Sequence, residues 1–453
     1  MKTDGGERLI ASPDRRAPAQ TRSALEEPEP LRVFSDAPAP LLDAEDLERI
    51  RSRGRIIGLL PLLGPAFVAS IAYVDPGNFA TNLEGGRRFG EQLLWVLVAA
   101  NLMAALVQYL SAKLGIVTGR SLPQLCRQRF PRPVAVGLWL QAEIVAMATD
   151  LAEFVGAAIA FKLLFALPLF LAGALTAAGS FGILLAQTRG HRRFEALIMG
   201  LLAIILLGFA YETLEVGAPG RAVARGLIPG FSGSGSVLVA VGMLGATVMP
   251  HVVYLHSALT QDRVAANTDR QKRLLLGVNR LDVAVAMGLA GLANIAMLIL
   301  FAQLFHHTGV PAASLIQAHA GLIRVIGGTA GLAFAVALLS SGLSSSTVGT
   351  YSGQIVLQGF MNWNLSLFAR RFITMTPSLI VLAVGFSPTR ILLISQVVLS
   401  FGIPFALIPL VIFTSRASVM GRFANSRAMS LLAGSIVVLI SALNVFLLVE
   451  LIA

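Results

Sequence analysis

The stretch AYVDPGNFATN, Ala72 to Asn82, places an acid, a proline, a glycine and two amides inside a segment that is otherwise apolar. Proline has no backbone N–H and its ring clashes with the preceding turn, so it kinks or breaks a helix. A charged side chain at the centre of a bilayer costs about 2.5–3.5 kcal/mol on insertion scales and usually marks an ion or substrate path. If this segment crosses a membrane, a break and a charge at one place predict a binding site there.

The composition of the 453-residue chain is that of a polytopic membrane protein. Hydrophobic residues make up 55% of the chain and charged residues only 13%, and the mean hydropathy is +0.76. Apolar runs of about 20 residues, enough to cross about 30 Å of hydrocarbon, recur from residue 56 onward. We predict eleven spans: 56–82, 92–114, 133–163, 167–187, 194–211, 235–259, 281–305, 330–356, 365–386, 390–413 and 428–452.

The first 50 residues have a different character. The stretch EEPEPLRVFSDAPAP is rich in proline and charge, and no apolar run there resembles a signal peptide. We predict that residues 1–50 form a disordered cytoplasmic tail, with a regulatory role as an alternative, and that residues 51–453 form the membrane domain. LLDAEDLERIRSRGR, residues 41–55, favours a short surface helix before the first span.

The net charge of +11 is explained by membrane topology rather than by nucleic acid binding. With a cytoplasmic N-terminus, nineteen of the 35 lysines and arginines lie near cytoplasmic ends or loops, and seven lie outside. Seven more are in the tail, and Arg370 and Arg371 are inside the ninth span. This asymmetry follows the positive-inside rule and predicts an external C-terminus. The single cysteine, Cys126, excludes an intrachain disulfide and a thiolate metal cluster.

An Ala-x-Val-x-Pro motif occurs at the centre of two spans. AYVDP, Ala72 to Pro76, lies in the first span, and ATVMP, Ala246 to Pro250, lies in the sixth. Because the two spans are five apart, they enter the membrane from opposite sides, which indicates an inverted repeat. Repeat one covers about 56–211 and repeat two about 235–413, with an extra helix at about 428–452. In such folds the binding site lies near the midplane, where two discontinuous helices meet.

The two breaks offer a mixed set of donor atoms. A proline four residues later releases the carbonyls of Ala72 and Ala246. Asp75 adds a carboxylate, Asn78 an amide oxygen and Met249 a thioether. Oxygen donors suit any divalent cation, whereas a thioether favours transition metals. Packing is the alternative for Met249, but its repeat position matches that of Asp75, so we predict a site for a divalent transition metal as transported substrate, with no resident cofactor.

The motifs DPGN in the first span and MPH in the sixth resemble the paired signature motifs of the Nramp family of proton-coupled divalent metal transporters. The resemblance runs from about residue 56 and is closest to bacterial members described as manganese transporters. It implies an all-α, LeuT-like fold of five plus five helices, discontinuous in helices one and six, here with an eleventh. It implies that the metal is bound by Asp75, Asn78, Met249 and the carbonyls of Ala72 and Ala246. Gln396, in LISQVVLSFG, matches a glutamine that approaches the ion; an interhelical hydrogen bond is the alternative.

Further charges lie in the third and ninth spans. Glu143, Asp150 and Glu153 fall on one face of a helix. We predict that Arg370 and Arg371 are their partners, because the ninth span reaches membrane length only with both arginines inside it. Static pairing is one interpretation. The resemblance instead places a proton route here, in which Asp75 exchanges the proton, Asp150 receives it, and Glu153 with the arginines passes it inward.

Three other stretches call for an interpretation. His251, directly after Pro250, carries an imidazole that titrates near physiological pH when unperturbed and fits either proton transfer or a structural hydrogen bond. SSGLSSSTVGT in the eighth span lacks the pattern of a nucleotide-binding loop, and its small residues predict close helix packing. EGGRRFG, residues 84–90, is predicted to be a short external turn.

The sequence as a whole predicts proton-coupled symport of Mn²⁺, and also of Fe²⁺, Cd²⁺ or Co²⁺, into the cytoplasm across the plasma (inner) membrane. We expect no enzymatic activity, no nucleic acid partner and no obligate protein partner. A passive metal channel and a sodium-coupled amino-acid symporter of the same fold are the alternatives, although Met249 has no evident role in the latter. A membrane hydrolase is disfavoured because HExxH, GxSxG and paired catalytic aspartates are not visible.

Overall fold

The computed structural model describes residues 63–188, 191–261, 263, 268–310 and 312–452. The predictions for the tail at 1–50, for the surface helix at 41–55 and for the first residues of the first span lie outside this part. The described residues are almost entirely helical and contain no strand, as the sequence predicts.

The α-helices are numbered here in chain order. They are α1 Pro65–Ile71, α2 Pro76–Phe89, α3 Leu94–Thr118, α4 Leu122–Arg129, α5 Arg132–Phe165, α6 Leu169–Thr188, α7 His191–Val216, α8 Gly220–Gly226, α9 Ser234–Thr247, α10 Pro250–Gln261, α11 Asp269–Phe301, α12 Leu315–Val325, α13 Gly328–Met361, α14 Leu367–Val384, α15 Pro388–Ser415, α16 Ala417–Met420 and α17 Arg427–Ile452. Turns of 3₁₀ helix occur at Ala72–Val74, Gly90–Leu93 and Gly421–Phe423, and a π-helical turn at Ala302–His306.

A helix lies at each of the eleven predicted spans. Within the described residues, eight helical segments are long and apolar enough to cross a membrane, one of them the joined segment Pro76–Thr118. Pro65–Val74 and Leu169–Ile183, in the first and fourth predicted spans, are shorter apolar helices. The ninth predicted span is α14, with 18 residues. The count of eleven therefore depends on three further spans. These are the first span, which is split in two, the short fourth span, and the ninth span, which carries two arginines.

Both predicted helix breaks are present. After the 3₁₀ turn Ala72–Val74, Asp75 is extended at φ −82° and ψ 168°, and its side chain caps α2 by accepting the Asn78 amide at 2.8 Å. An acidic N-cap followed by proline at the first helical position is a strong start signal, so DPGN begins a new helix. In the second break α9 ends at Thr247, and Val248 leaves helical geometry at φ −99° and ψ 89° before α10.

The predicted external turn at residues 84–90 is wrong, because α2 continues to Phe89. Glu84 binds Arg87 at 2.6 Å and Arg88 at 3.3 Å along the helix surface. A Cβ on Gly86 would lie 2.9 Å from the backbone of α11, so this glycine allows two helices to touch. The chain turns only at Gly90, where φ is +60°.

Four long helices surround the breaks. α2 contacts α5, α11, α13 and α15, and α13 packs along α5. A Cβ on Gly156 of α5 would lie 2.1 Å from the Pro76 ring, and one on Gly342 of α13 would lie 2.8 Å from Ala157. The close packing predicted for the serine-rich stretch is therefore confirmed, and it presses α5 and α13 against the first break.

Candidate metal site between the two helix breaks

The two breaks meet at the amide group of Asn78. Its Nδ2 donates to Asp75 Oδ1 at 2.7 Å and to the carbonyl oxygen of Ala246 at 3.0 Å. A carboxylate oxygen of the first break and a backbone oxygen of the second therefore converge on one point. Oxygens that converge on an N–H₂ group direct their lone pairs at that point, and a cation attracts the same lone pairs. The geometry brings together three of the predicted ligand residues.

Two buried oxygens at this point lack a hydrogen-bond partner. Asp75 Oδ2 and Asn78 Oδ1 receive no donor, although both residues are fully buried. Buried polar atoms are nearly always paired, so orphaned oxygens need an explanation. Rotation of the Asn78 amide would exchange its nitrogen and oxygen and present Oδ1 to a cation held by Asp75 and Ala246. The donor chemistry of this place fits a cation.

Met249 lies in the second break, between the non-helical Val248 and Pro250, and it is fully buried. Tyr73 of the first break interacts electrostatically with the backbone of Met249, which relates the two breaks a second time. Within the described residues, no group of three or more histidine, cysteine, aspartate or glutamate side chains is placed to hold a metal ion. A metal bound in this part of the chain would therefore need further donors, such as carbonyl, amide or thioether groups or water.

Gln396 of α15 reaches the first break because residue 77 is glycine. A Cβ on Gly77 would lie 1.8 Å from Gln396 Nε2 and 3.0 Å from Asp75 Oδ2, so the glutamine amide and the free carboxylate oxygen approach the same point. The only hydrogen bond of Gln396 in the described structure is a long one of 3.4 Å to its neighbour Ser395. The alternative of an interhelical hydrogen bond is therefore not realised here. Sequence reasoning missed Gly77, although it is the third residue of DPGN.

The predicted pairing of the arginines with the span-three acids is found for Glu143 and Asp150, whereas Glu153 forms no ion pair in the described structure. Arg370 binds Glu143 through two hydrogen bonds of 2.6 and 3.0 Å. Arg371, which is almost fully buried, lies 3.5 Å from Asp150 Oδ1. Its shorter hydrogen bonds go to neutral oxygens: the Ser346 carbonyl at 3.0 Å, and Thr350 Oγ1 and Ser180 Oγ at 2.8 Å each. Hydroxyl and carbonyl groups thus hold the Arg371 guanidinium in place, and the contact to Asp150 is loose.

Glu153 is a third buried acid, beside Asp150 on α5. Neither of its carboxylate oxygens has a hydrogen-bond partner, because the neighbouring Ser345 donates its hydroxyl to the Ser341 carbonyl instead, and Glu153 interacts electrostatically with both aspartates. A Cβ on Gly349 of α13 would lie 2.8 Å from Glu153 Oε2 and 3.0 Å from Asp150 Oδ1, so the two acids lie side by side. Gly156, which touches Pro76, is one turn after Glu153 and two turns after Asp150 on α5, and only Glu153 of these two acids interacts electrostatically with Asp75. Glu153 is therefore the acid of this pair closer to the first break, which differs from the order in the sequence-based route.

His251 makes a structural contact beside these acids. Its Nδ1 lies 3.4 Å from the hydroxyl of Thr149, the residue before Asp150, and its carbonyl accepts a 2.6 Å hydrogen bond from Ser352. Its Nε2 has no partner in the described structure. The structural bond is thus present, and a role in proton transfer stays a prediction.

Three charged residues that sequence reasoning did not single out hold the start of α1. Asp282 of α11 accepts the backbone amides of Gly64 at 3.1 Å and Ala66 at 3.0 Å. Arg263 pairs with Glu195 and donates to the Leu63 carbonyl at 3.0 Å. The available signal was an aspartate at the edge of the apolar seventh span.

Comparison with known proteins gives this site a context. The sequence profile of Nramp, described as natural resistance-associated macrophage protein-like, matches residues 66–450. This chain belongs to the Nramp family. Among curated Nramp relatives, the divalent metal cation transporter MntH of Bacillus subtilis (strain 168) is 49% identical over 394 residues, 87% of this chain and 93% of that protein. MntH of Deinococcus radiodurans is 49% identical over 420 residues, 92% of this chain and 96% of that protein.

Solved structures agree on the Nramp fold. A manganese transporter of Eremococcus coleocola, crystallised with an aromatic bis-isothiourea substituted compound, matches with a TM-score of 0.81 and 32% identity over 87% of each chain. MhsT, a LeuT-fold transporter in complex with L-phenylalanine, matches with a TM-score of 0.58 at 14% identity, covering 84% of this chain and 98% of that chain. The predicted LeuT-like fold is confirmed, and the chain is a multi-pass membrane protein.

Proposed function

We propose that this chain is a proton-coupled symporter that carries Mn²⁺, and also Fe²⁺, Co²⁺ and Cd²⁺, into the cytoplasm by alternating access. The observation that carries the proposal is the Asn78 amide held between Asp75 Oδ1 and the Ala246 carbonyl, because it marks a point where oxygens of both breaks converge. Relatives that cover most of the chain are named as divalent metal cation or manganese transporters. The Met249 thioether supports a transition metal over Mg²⁺ or Ca²⁺.

Binding requires two local changes at the first break. The Asn78 amide rotates so that its oxygen replaces its nitrogen, and Asp75 is deprotonated, since a carboxylate binds a cation only in its ionised form. Asp75 Oδ1 also caps α2, and Oδ2, which has no hydrogen-bond partner, provides a second oxygen for the ion. Uptake of the metal then releases a proton from the site.

The released proton has a route along α5. Glu153 is the first acceptor, because it lies nearest and has no hydrogen-bond partner. Asp150 beside Arg371 follows, and Glu143 with Arg370 lies two turns further along the helix. His251 contacts the same region through Thr149 and adds a second titratable group. The metal and the proton thus leave the site by different paths.

Alternating access requires the start of α1 to move. Asp282, Arg263 and Glu195 hold it at the end that the charge distribution assigns to the cytoplasm, while Asp75, Asn78 and Met249 are fully buried. Release of these contacts would open the site inward, as expected for a discontinuous helix in an inverted-repeat transporter. The same charge distribution supports our proposal of a plasma-membrane protein with a cytoplasmic N-terminus and an external C-terminus.

Proteoliposomes loaded with a pH-sensitive dye test the proposal. External Mn²⁺ should enter and acidify the lumen, and an imposed inward proton gradient should accelerate Mn²⁺ entry. Mn²⁺ entry without any pH change, at a rate indifferent to the gradient, would indicate a passive channel. Sodium-dependent entry of an amino acid without metal transport would instead support the alternative of a sodium-coupled amino-acid symporter.

Replacement of Asp150 with asparagine should separate the two fluxes. The ligands of the metal site are untouched, so Mn²⁺ affinity should stay within about threefold of wild type, whereas general acid–base groups typically contribute about 10²–10⁴-fold to proton transfer. We expect the proton flux to fall at least tenfold. Calorimetric Mn²⁺ titration and the dye assay on the same preparation measure both. Normal proton and metal fluxes in this variant would reassign Asp150 to static pairing.

Replacement of Asp282 with alanine should open the cytoplasmic side. The amides of Gly64 and Ala66 would lose a charged acceptor, a contact of about 1.5–3 kcal/mol, so the open population should rise at least tenfold. A cysteine introduced at Ala69, in a chain with Cys126 replaced by serine, should react faster with a thiol reagent. Asp269→Ala is the matched control, because Asp269 begins the same helix but pairs with exposed Arg422. Equal labelling rates in both variants would contradict this role.

A further inference from the structure

The first break leaves three backbone carbonyls without their usual donors. In a continuous helix the carbonyls of Ala72–Val74 would accept from the amides four residues later. Pro76 has no amide proton, the backbone of Gly77 belongs to the first turn of the new helix and interacts with the Asp75 carboxylate, and the amide of Asn78 donates to Asp75 Oδ1. A buried carbonyl without a donor is unfavourable, so each of the three needs another partner.

Side chains of two other helices supply partners to two of these carbonyls. Asn294 Nδ2 of α11 donates to the Tyr73 carbonyl at 2.7 Å, and Ser341 Oγ of α13 donates to the Val74 carbonyl at 2.6 Å. Both side chains are buried. Within the described residues, no side chain donates to the Ala72 carbonyl. Because a carbonyl oxygen has two lone pairs, participation in the 3₁₀ turn still leaves one for a cation.

A neighbouring contact fixes the orientation of Asn294, and the direction of its hydrogen bond distinguishes Ser341 from nearby serines. Asn82, one turn after Asn78, donates to Asn294 Oδ1 at 2.8 Å, so the Asn294 amide must turn its nitrogen toward Tyr73. Ser341 belongs to the serine-rich stretch of α13, but it differs from Ser344 and Ser345, whose hydroxyls donate to carbonyls of their own helix. Ser341 is therefore a link between helices rather than a packing residue.

We propose that Ser341 and Asn294 are positioning residues that determine the metal selectivity of the site, by engaging the Val74 and Tyr73 carbonyls so that Ala72 alone offers a backbone oxygen from the first break. This inference rests on the proposed metal transport and deepens it. Ca²⁺ takes six to eight oxygen ligands in flexible geometry, whereas a site with few oxygens and a thioether favours transition metals. A carbonyl released beside the site therefore favours Ca²⁺.

Competition binding tests this role. In purified Ser341→Ala, we expect the Ca²⁺ concentration that halves Mn²⁺ binding to fall about tenfold, while the Kd for Mn²⁺ changes less than about threefold. Ser344→Ala is the matched control, because Ser344 is equally buried and its hydroxyl stays within its own helix. Ser341→Thr keeps a hydroxyl donor and should restore the wild-type ratio of Mn²⁺ to Ca²⁺. A general loss of stability would not change this ratio.

The outcomes separate the inference from the function on which it rests. If wild-type protein binds no Mn²⁺, the proposed function fails. If wild type binds Mn²⁺ and Ser341→Ala keeps its ratio, or Ser344→Ala shifts equally, the positioning role alone is overturned. Should Ser341→Ala fail to fold, Ser341→Cys keeps the side-chain size with a weak donor, and it should lose discrimination in the same way; a wild-type ratio in that variant overturns the inference.

Discussion

Replacement of Asp75 with alanine is expected to abolish uptake of every divalent metal ion. Asp75 is the acid at the point where the two breaks converge, and one of its oxygens has no other partner. Removal of one member of a buried charge pair costs about 3–5 kcal/mol, and each 1.4 kcal/mol is a factor of ten. Mn²⁺ affinity should therefore fall at least about a hundredfold.

A matched variant separates the charge of Asp75 from its structural role. Asparagine also caps helices well, whereas loss of the cap to alanine costs about 1 kcal/mol. Asp75→Asn and Asp75→Ala should lose Mn²⁺ uptake equally, and only the alanine variant should show a lower melting temperature. Proteoliposome uptake and thermal unfolding of the same preparations measure both effects. Near-normal uptake by Asp75→Asn would remove the site from the proposed function.

Replacement of Met249 with alanine should relax ion discrimination. A water molecule can fill the vacated position, so the site becomes all oxygen and harder in character. Mn²⁺ accepts oxygen ligands and should still be carried at a reduced rate, whereas Cd²⁺, a soft ion, should lose most of its uptake. Millimolar Ca²⁺ or Mg²⁺ should begin to compete. We expect the ratio of Cd²⁺ to Mn²⁺ uptake to fall at least about tenfold, a difference of about 1.4 kcal/mol.

The control for this variant is Met243, another buried methionine, in the helix that precedes the second break. Met243 of α9 packs against α2, where its sulfur lies 3.2 Å from the Cβ position of Gly85. Met243→Ala should lower stability through a cavity but keep the ion preference. Uptake of Mn²⁺ and Cd²⁺ with competing Ca²⁺ is measured for both variants. The same ion preference in Met249→Ala and wild type would mean that Met249 only packs.

Local chemistry made both helix breaks predictable. An aspartate N-cap followed by proline favours the start of a new helix, and Asp75 with Pro76 has this arrangement. The Ala-x-Val-x-Pro match identified the second break at Met249. The same local reasoning failed at residues 84–90, where glycines and arginines look like a turn. Contact of Gly86 with α11 and the ion pairs of Glu84 keep that segment helical, and neither is visible in a short window of sequence.

The sequence by itself determined the membrane class, the broken helices and the donor atoms of the site, because hydropathy, helix capping and the absence of a proline amide act over a few residues. Only the tertiary structure decided which donors meet. Asn78 reaches Ala246 across 168 positions of the chain, and Ser341 reaches the Val74 carbonyl across 267. Such contacts depend on how the helices pack. Glycines contribute to this packing because they allow another helix to approach closely at a single point, as Gly77 does for Gln396.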